Sequence, residues 1–176
     1  MKNKNPNIYI ICGKARTGKD TVANIIKNNT KNSVILSITK PLKEYAKLIL
    51  NEDFNDSNKP RDLLQELGYD IIKKQIDSTL LIRRIIEDIN VLSYYKNNII
   101  ISGIRLEDEI EYIKNTFNKV KVIKVLSDRD NNLTNKQKKH ITETELDNYK
   151  ADYEIINDKY NLLENKVKDI LEENYE

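Results

Sequence analysis

Five apolar residues, Ile8-Tyr9-Ile10-Ile11-Cys12, end abruptly where Gly13-Lys14-Ala15-Arg16-Thr17-Gly18-Lys19 begins. An apolar run of that length, stopped by glycine, is expected as a strand buried on both faces of a parallel sheet. Behind the glycine-rich segment, Val22, Ala23, Ile25 and Ile26 predict a helix beginning near Gly18. Strand, G-x-x-x-x-G-K and helix in that order form the context in which this pattern cradles phosphate. The glycines let the chain curl until consecutive backbone N–H groups point inward at phosphate oxygens, and the helix dipole adds to the attraction. Lys19 then extends to the β- and γ-phosphates of a bound triphosphate. The residue after the lysine is Asp20, where the usual loop carries Ser or Thr for Mg²⁺, and Thr21 follows. Asp20 is open to two readings, a metal contact made directly or through water, or a favourable negative charge at the helix start.

Further strands are expected at Ser33–Ile38, Asn98–Ser102, Val120–Leu126 and Tyr153–Ile156, with helical patterns between them. Strands alternating with helices imply a three-layer α/β fold around a parallel five-stranded sheet, and 176 residues suit one domain. Two segments interrupt the alternation. One is a helical insertion over about residues 41–95, where Leu63, Leu64, Leu67, Ile71 and Ile72 recur at helical spacing. The other is a polar stretch from Asp128 that suits a lid over about residues 128–147.

Charge narrows the partners. Lys and Arg number 30 against 28 Asp and Glu, too near balance for a nucleic-acid binder read from charge. Residues 1–50, however, hold ten Lys/Arg against Asp20 and Glu44, a net of +8 suited to meeting anions. The tyrosines are scattered and form no platform for stacking single strands. One cysteine, Cys12, and the absence of a signal peptide or long apolar run lead to the expectation of a reducing, cytoplasmic setting without membrane attachment.

These motifs together resemble the phage-type and bacterial deoxynucleoside monophosphate kinases, within the P-loop nucleoside monophosphate kinase superfamily. The resemblance is carried by the loop through Asp20 and Thr21, by Lys40-Pro41-Leu42-Lys43, by Pro60-Arg61-Asp62-Leu63-Leu64-Gln65-Glu66-Leu67-Gly68, and by Ile99-Ile100-Ile101-Ser102-Gly103-Ile104-Arg105 followed by Glu109. Arg129, His140-Ile141-Thr142-Glu143 and Asp152-Tyr153-Glu154-Ile155-Ile156-Asn157-Asp158 extend it. It implies a P-loop NTPase fold, ATP as phosphoryl donor with Mg²⁺, and transfer of the γ-phosphoryl group to a (deoxy)nucleoside monophosphate. Gly13 through Thr21, with Asn157, would bind ATP, and Asp20 and Thr21 would hold the metal. The inserted helices would supply the acceptor site through Lys43, Arg61 and Gln65, joined by Arg105 and Glu143. Lys19, Arg105 and the lid residue Arg129 would act in catalysis.

Several of these residues also have plainer readings. Arg61 and Gln65 fit a solvated helix face, Thr142-x-x-Glu145 fits a helix capping box, and Asn157 fits a turn. Arg83 and Arg84 are adjacent, so both cannot face one pocket from a helix. Gly103 stands where the resembled family commonly has Asp, which leaves the strand-end carboxylate missing. Related small-molecule kinases acting on phosphomevalonate or dephospho-coenzyme A are alternatives, as is a nucleotide-binding protein with little catalysis. No Asn-Lys-x-Asp guanine motif is present. A homodimer is one assembly open to the chain, and the sequence fixes neither subunit number nor preferred base.

Overall fold

The computed structural model describes residues 5–55, 58–128, 132–158 and 160–172, with the side chains of residues 160 and 161 left out. Five parallel strands form one sheet in the order β2-β3-β1-β4-β5: β1 (Asn7–Cys12), β2 (Ser33–Ser37), β3 (Asn98–Ser102), β4 (Val120–Leu126) and β5 (Tyr153–Ile156). Strand β1 lies at the centre, with Ile8 opposite Ile99 of β3 on one side and Val120 of β4 on the other. The chain crosses from β3 on one side of β1 to β4 on the other, and because all five strands are parallel the loops after β1, β3 and β4 open as a crevice at one edge of the sheet. In an α/β sheet that crevice is where ligands bind.

Alternation along the strands distributes the core to two faces. Ile8, Ile10, Ile99, Ile101 and Val122 pack on one side against Ile82, Ile85 and Ile89 of α4 (Leu80–Leu92) and Ile110 and Ile113 of α5 (Glu107–Thr116). Tyr9, Ile11, Ile100, Ile123 and Ile155 face the other way, onto α1 (Lys19–Asn29) and α8 (Tyr160–Glu172). Full burial of side chains such as Ile99, Ile100 and Ile101 contributes roughly 1.5–3 kcal/mol each. This is the three-layer arrangement that buried apolar strands require.

The insertion carries a small core of its own. Helix α2 (Lys40–Leu50) contributes Leu42 and Ala46, which meet Leu67 and Ile72 of the segment formed by α3 (Arg61–Gln65) and a π-helix (Glu66–Ile76). The expected regular α spacing through Ile71 and Ile72 is thus modified, because the hydrogen bonds widen to i→i+5, as from Asp77 N–H to the Ile72 carbonyl at 2.9 Å. Leu67 and Ile72, five apart, share the buried face. Gly68 lets α2 approach, since a Cβ there would sit 2.9 Å from Leu42 Cδ1.

Residues expected in the lid form α6 (Asn135–Lys139), α7 (Ile141–Thr144) and a 3₁₀ turn (Glu145–Asp147). The capping box forms earlier than the sequence suggested, at Thr134 and Gln137, whose side chains and backbone N–H groups bond reciprocally at 3.1 and 3.2 Å. Thr142 lies inside α7 instead, and the preceding His140 caps that helix through Nδ1, 3.3 Å from the Thr142 N–H. Glu145 is drawn away to accept the Glu107 N–H at 3.0 Å.

Candidate active site

Strand β1 delivers the chain to Gly13, whose φ of +135° belongs to glycine and whose missing Cβ leaves room for the Val125 carbonyl of β4. Gly18, at φ +99°, closes the curl as the N-cap of α1, and its bare α-carbon faces the Asn157 amide. Val22 N–H makes the first helical bond, to the Gly18 carbonyl at 3.0 Å. The amides of Lys19, Asp20 and Thr21 therefore have no intrahelical acceptor and are available to an anion. Thr17 Oγ1 bonds the Lys14 carbonyl at 3.0 Å, which tightens the loop from inside.

Asn157 stands behind this loop. Its amide donates to the Thr17 carbonyl at 2.8 Å, and its own N–H bonds Leu126 at 2.8 Å. The residue expected near the nucleotide base thus braces the loop from the end of β5.

Lys19 is 8% exposed, and its ammonium group bonds back to the Lys14 carbonyl. Burial first, and Arg105 second, lower its pKa from 10.5 to about 7, against the opposing pull of Glu143 and Asp20. Arg105, at the end of the β3 connection, donates through Nη1 to the Gly13 carbonyl at 3.2 Å and to Glu143 Oε1 at 3.0 Å. The other Glu143 oxygen accepts the Ala15 N–H at 2.8 Å.

A cavity of about 310 Å³ opens beside the loop. Ala15, Arg16, Lys19 and Asp20 line it from the loop side, and Lys43, Arg61 and Gln65 from the insertion. Arg105 and Glu143 close the third wall. A second cavity, of about 320 Å³, lies on the other flank of the loop against Gly13, Lys14, Thr17 and the end of β4. Every expected acceptor residue therefore reaches one space. Thr21 lines neither cavity, and Arg129 lies outside the described residues. Arg83 and Arg84 turn away, to Asp77 and to the Tyr45 hydroxyl respectively.

Tyr69 and Glu109 also line the first cavity, although neither carried an assigned role in the sequence. Tyr69 projects from the π-helix, which a uniform α pattern does not foresee. Glu109 receives the N–H groups of Arg105 and Leu106 at 3.1 and 3.3 Å, and burial pushes its carboxyl up to about 7. Its signal was available: a Glu three residues after a helix N-cap commonly turns back onto it.

The geometry also bears on the metal. No group of three or more His, Cys, Asp or Glu side chains suited to a metal ion occurs among the described residues. A Mg²⁺ ion that keeps its waters and is held mainly by substrate phosphates needs only one or two protein oxygens. Asp20 fits that requirement, because it lines the cavity beside Lys19 from the first turn of α1. Gly103 has φ +88°, with a Cβ position 3.2 Å from the Thr39 methyl. An Asp at 103 is therefore disfavoured by this backbone.

Comparison with known proteins agrees with this geometry. A family described as deoxynucleotide monophosphate kinase matches residues 49–168, a span that begins after the glycine-rich loop and so is independent of it. No curated protein matches. Among solved structures, a Thermus thermophilus protein superposes with a TM-score of 0.58 at 15% identity, over 97% of this chain and 98% of the other. Dephospho-CoA kinase from Campylobacter jejuni gives 0.53 at 16% identity, over 96% and 97%. At such identities the likeness establishes the fold. No helix among the described residues is long and apolar enough to cross a membrane. With the family match covering most of the chain, this protein belongs to the deoxynucleotide monophosphate kinase family and is an ATP-dependent nucleotide kinase.

Proposed function

We propose that the chain transfers the γ-phosphoryl group of ATP to a deoxynucleoside monophosphate bound beneath the inserted helices. The observation that supports this most directly is the shared cavity, in which Lys19 and Asp20 face Lys43, Arg61 and Gln65. Phosphoryl transfer asks the protein to align two anions and screen their repulsion, which basic residues arriving from three separate segments are suited to do.

In this reading the open amides of α1 and Lys19 hold the β- and γ-phosphates. Arg61 seats the acceptor phosphate, Arg105 joins it there and acts chiefly on the charge that builds up during transfer, Lys43 adds positive charge, and Gln65 meets the base edge. An acceptor phosphate oxygen attacks the γ-phosphorus as the bridging bond to the β-phosphate breaks, and ADP leaves. Mg²⁺ held near Asp20, with Thr21 behind it, would supply charge neutralisation at the phosphates. Arg129 is assigned to closure from the lid, and the lid and acceptor-binding boundaries remain about 128–147 and 41–95. A cytoplasmic setting belongs to the same reading, supported by a single cysteine, Cys12, that can form no internal disulfide. The homodimer reading would place its contact on the exposed Leu48 and Ile49 of α2, which sedimentation tests.

ADP release should be followed with each of the four common deoxynucleoside monophosphates, their ribose counterparts, dephospho-coenzyme A and phosphomevalonate. Turnover with at least one deoxynucleoside monophosphate, exceeding that with the last two compounds, is expected. Acceptor-dependent ADP release confined to dephospho-coenzyme A or phosphomevalonate would overturn the assignment.

A further inference from the structure

Glu143 was expected among the acceptor ligands, yet both of its oxygens are already engaged by the protein. Its side chain is 6% exposed, and it spans from the Ala15 N–H at 2.8 Å to Arg105 Nη1 at 3.0 Å. The same Arg105 nitrogen reaches the Gly13 carbonyl, and the Arg105 backbone N–H is fixed by Glu109 at 3.1 Å. Arg105 is thus held at both ends, by one carboxylate on its head and another on its main chain. The segment carrying Glu143 is itself stapled, by Lys14 to Asp147 at 2.8 Å and by Glu145 to the Glu107 N–H at 3.0 Å.

The loop amides divide accordingly. Lys19, Asp20 and Thr21 keep theirs open at the helix start, whereas Ala15 gives its own to Glu143. A phosphate can therefore occupy the helix end without displacing the carboxylate. A free arginine side chain has many rotamers to lose, and anchoring it beforehand removes that entropic cost from the reaction.

We propose that Glu143 is a positioning residue, a carboxylate bridge that locks the Arg105 guanidinium to the phosphate loop so that the arginine is aimed before the substrates arrive. The inference rests on the role given above to Arg105 in handling the acceptor phosphate. The bridge acts on chemistry through Arg105 and leaves the binding of both substrates largely intact.

The test is a double-mutant cycle of Glu143→Gln and Arg105→Lys, with kinetics in both substrates. Glu143→Gln should lower kcat about 10- to 100-fold, the scale of a misplaced catalytic group, while KM for the deoxynucleoside monophosphate and the Kd for ATP stay within about threefold. In the Arg105→Lys background the same substitution should cost less than about twofold, because the partner it serves is gone. Glu143→Asp keeps the charge but is one methylene shorter, so its kcat should fall between those of wild type and Glu143→Gln. Nitrogen NMR supplies a readout apart from activity: the Arg105 guanidinium, identified by its loss in Arg105→Lys, should rotate slowly in wild type and fast in Glu143→Gln. Multiplicative losses in the cycle, or a tenfold rise in acceptor KM with kcat unchanged, would overturn the proposal. If wild type turns over no deoxynucleoside monophosphate, it is the functional assignment that fails. Normal wild-type turnover with independent effects of the two residues defeats the bridge alone.

Discussion

Raising the pH from 7.5 to 8.5 should weaken ATP binding nearly tenfold through one side chain. In the ligand-free protein, burial and the neighbouring Arg105 lower the Lys19 pKa from 10.5 to about 7. That fall corresponds to roughly 5 kcal/mol at about 1.4 kcal/mol per pH unit, and bound phosphates can offset it by favouring the charged form. The sign follows directly. Above pH 7 the free protein has released the Lys19 proton, whereas the complex holds it, so binding takes up a proton and affinity falls as pH rises. At pH 8 only about one Lys19 in ten is charged before binding, which sets an uptake of about 0.9 proton per ATP. Calorimetry in two buffers of different ionisation enthalpy measures this number. Lys19→Arg, whose guanidinium stays protonated, should abolish the uptake whatever it does to affinity. Equal affinity at pH 7.5 and 8.5, with no proton uptake, would refute the claim that the lysine is neutral in the empty loop.

Other expectations follow from the same contacts. Gly18→Ala forces a methyl onto the Asn157 amide at φ +99°, and should cost about 1–3 kcal/mol of stability with at least tenfold weaker ATP binding; an unchanged melting temperature argues against the strained turn. Glu109, raised from 4.5 to about 7 by burial, contributes stability that is present below pH 4.5 and lost as pH rises through about 7. Glu109→Gln should therefore be more stable than wild type at pH 8, by up to about 3 kcal/mol, with the difference shrinking toward pH 5 in thermal melts. Asp20→Asn should raise the Mg²⁺ concentration for half-maximal rate about tenfold; an unaltered Mg²⁺ titration removes Asp20 from the metal.

The sheet was legible because its strands announce their own ends. Asn98–Ser102, Val120–Leu126 and Tyr153–Ile156 agree with the structure at both bounds, since each apolar run meets glycine or polar residues. The phosphate loop was legible for a related reason, as its chemistry is contiguous in sequence. What escaped was set by contacts distant along the chain. The Asn157 brace spans 140 positions to Thr17, and the Glu143 contact with Ala15 spans 128, so no local pattern encodes either. The π-helix was hidden because Leu67 and Ile72 are five apart within a segment otherwise rich in α-like spacings. The N-cap of α7 falls at His140 because Glu145, the expected capping partner, bonds α5 instead.

One cavity serving donor and acceptor together is tested most directly by calorimetry with an analogue that joins adenosine to the preferred deoxynucleoside through an oligophosphate bridge. Because the second half then binds at high effective concentration, the analogue should bind at least about 100-fold more tightly than ATP, and prior saturation with either ATP or the monophosphate should weaken it. An affinity no greater than that of ATP, with the monophosphate failing to compete, would contradict the account.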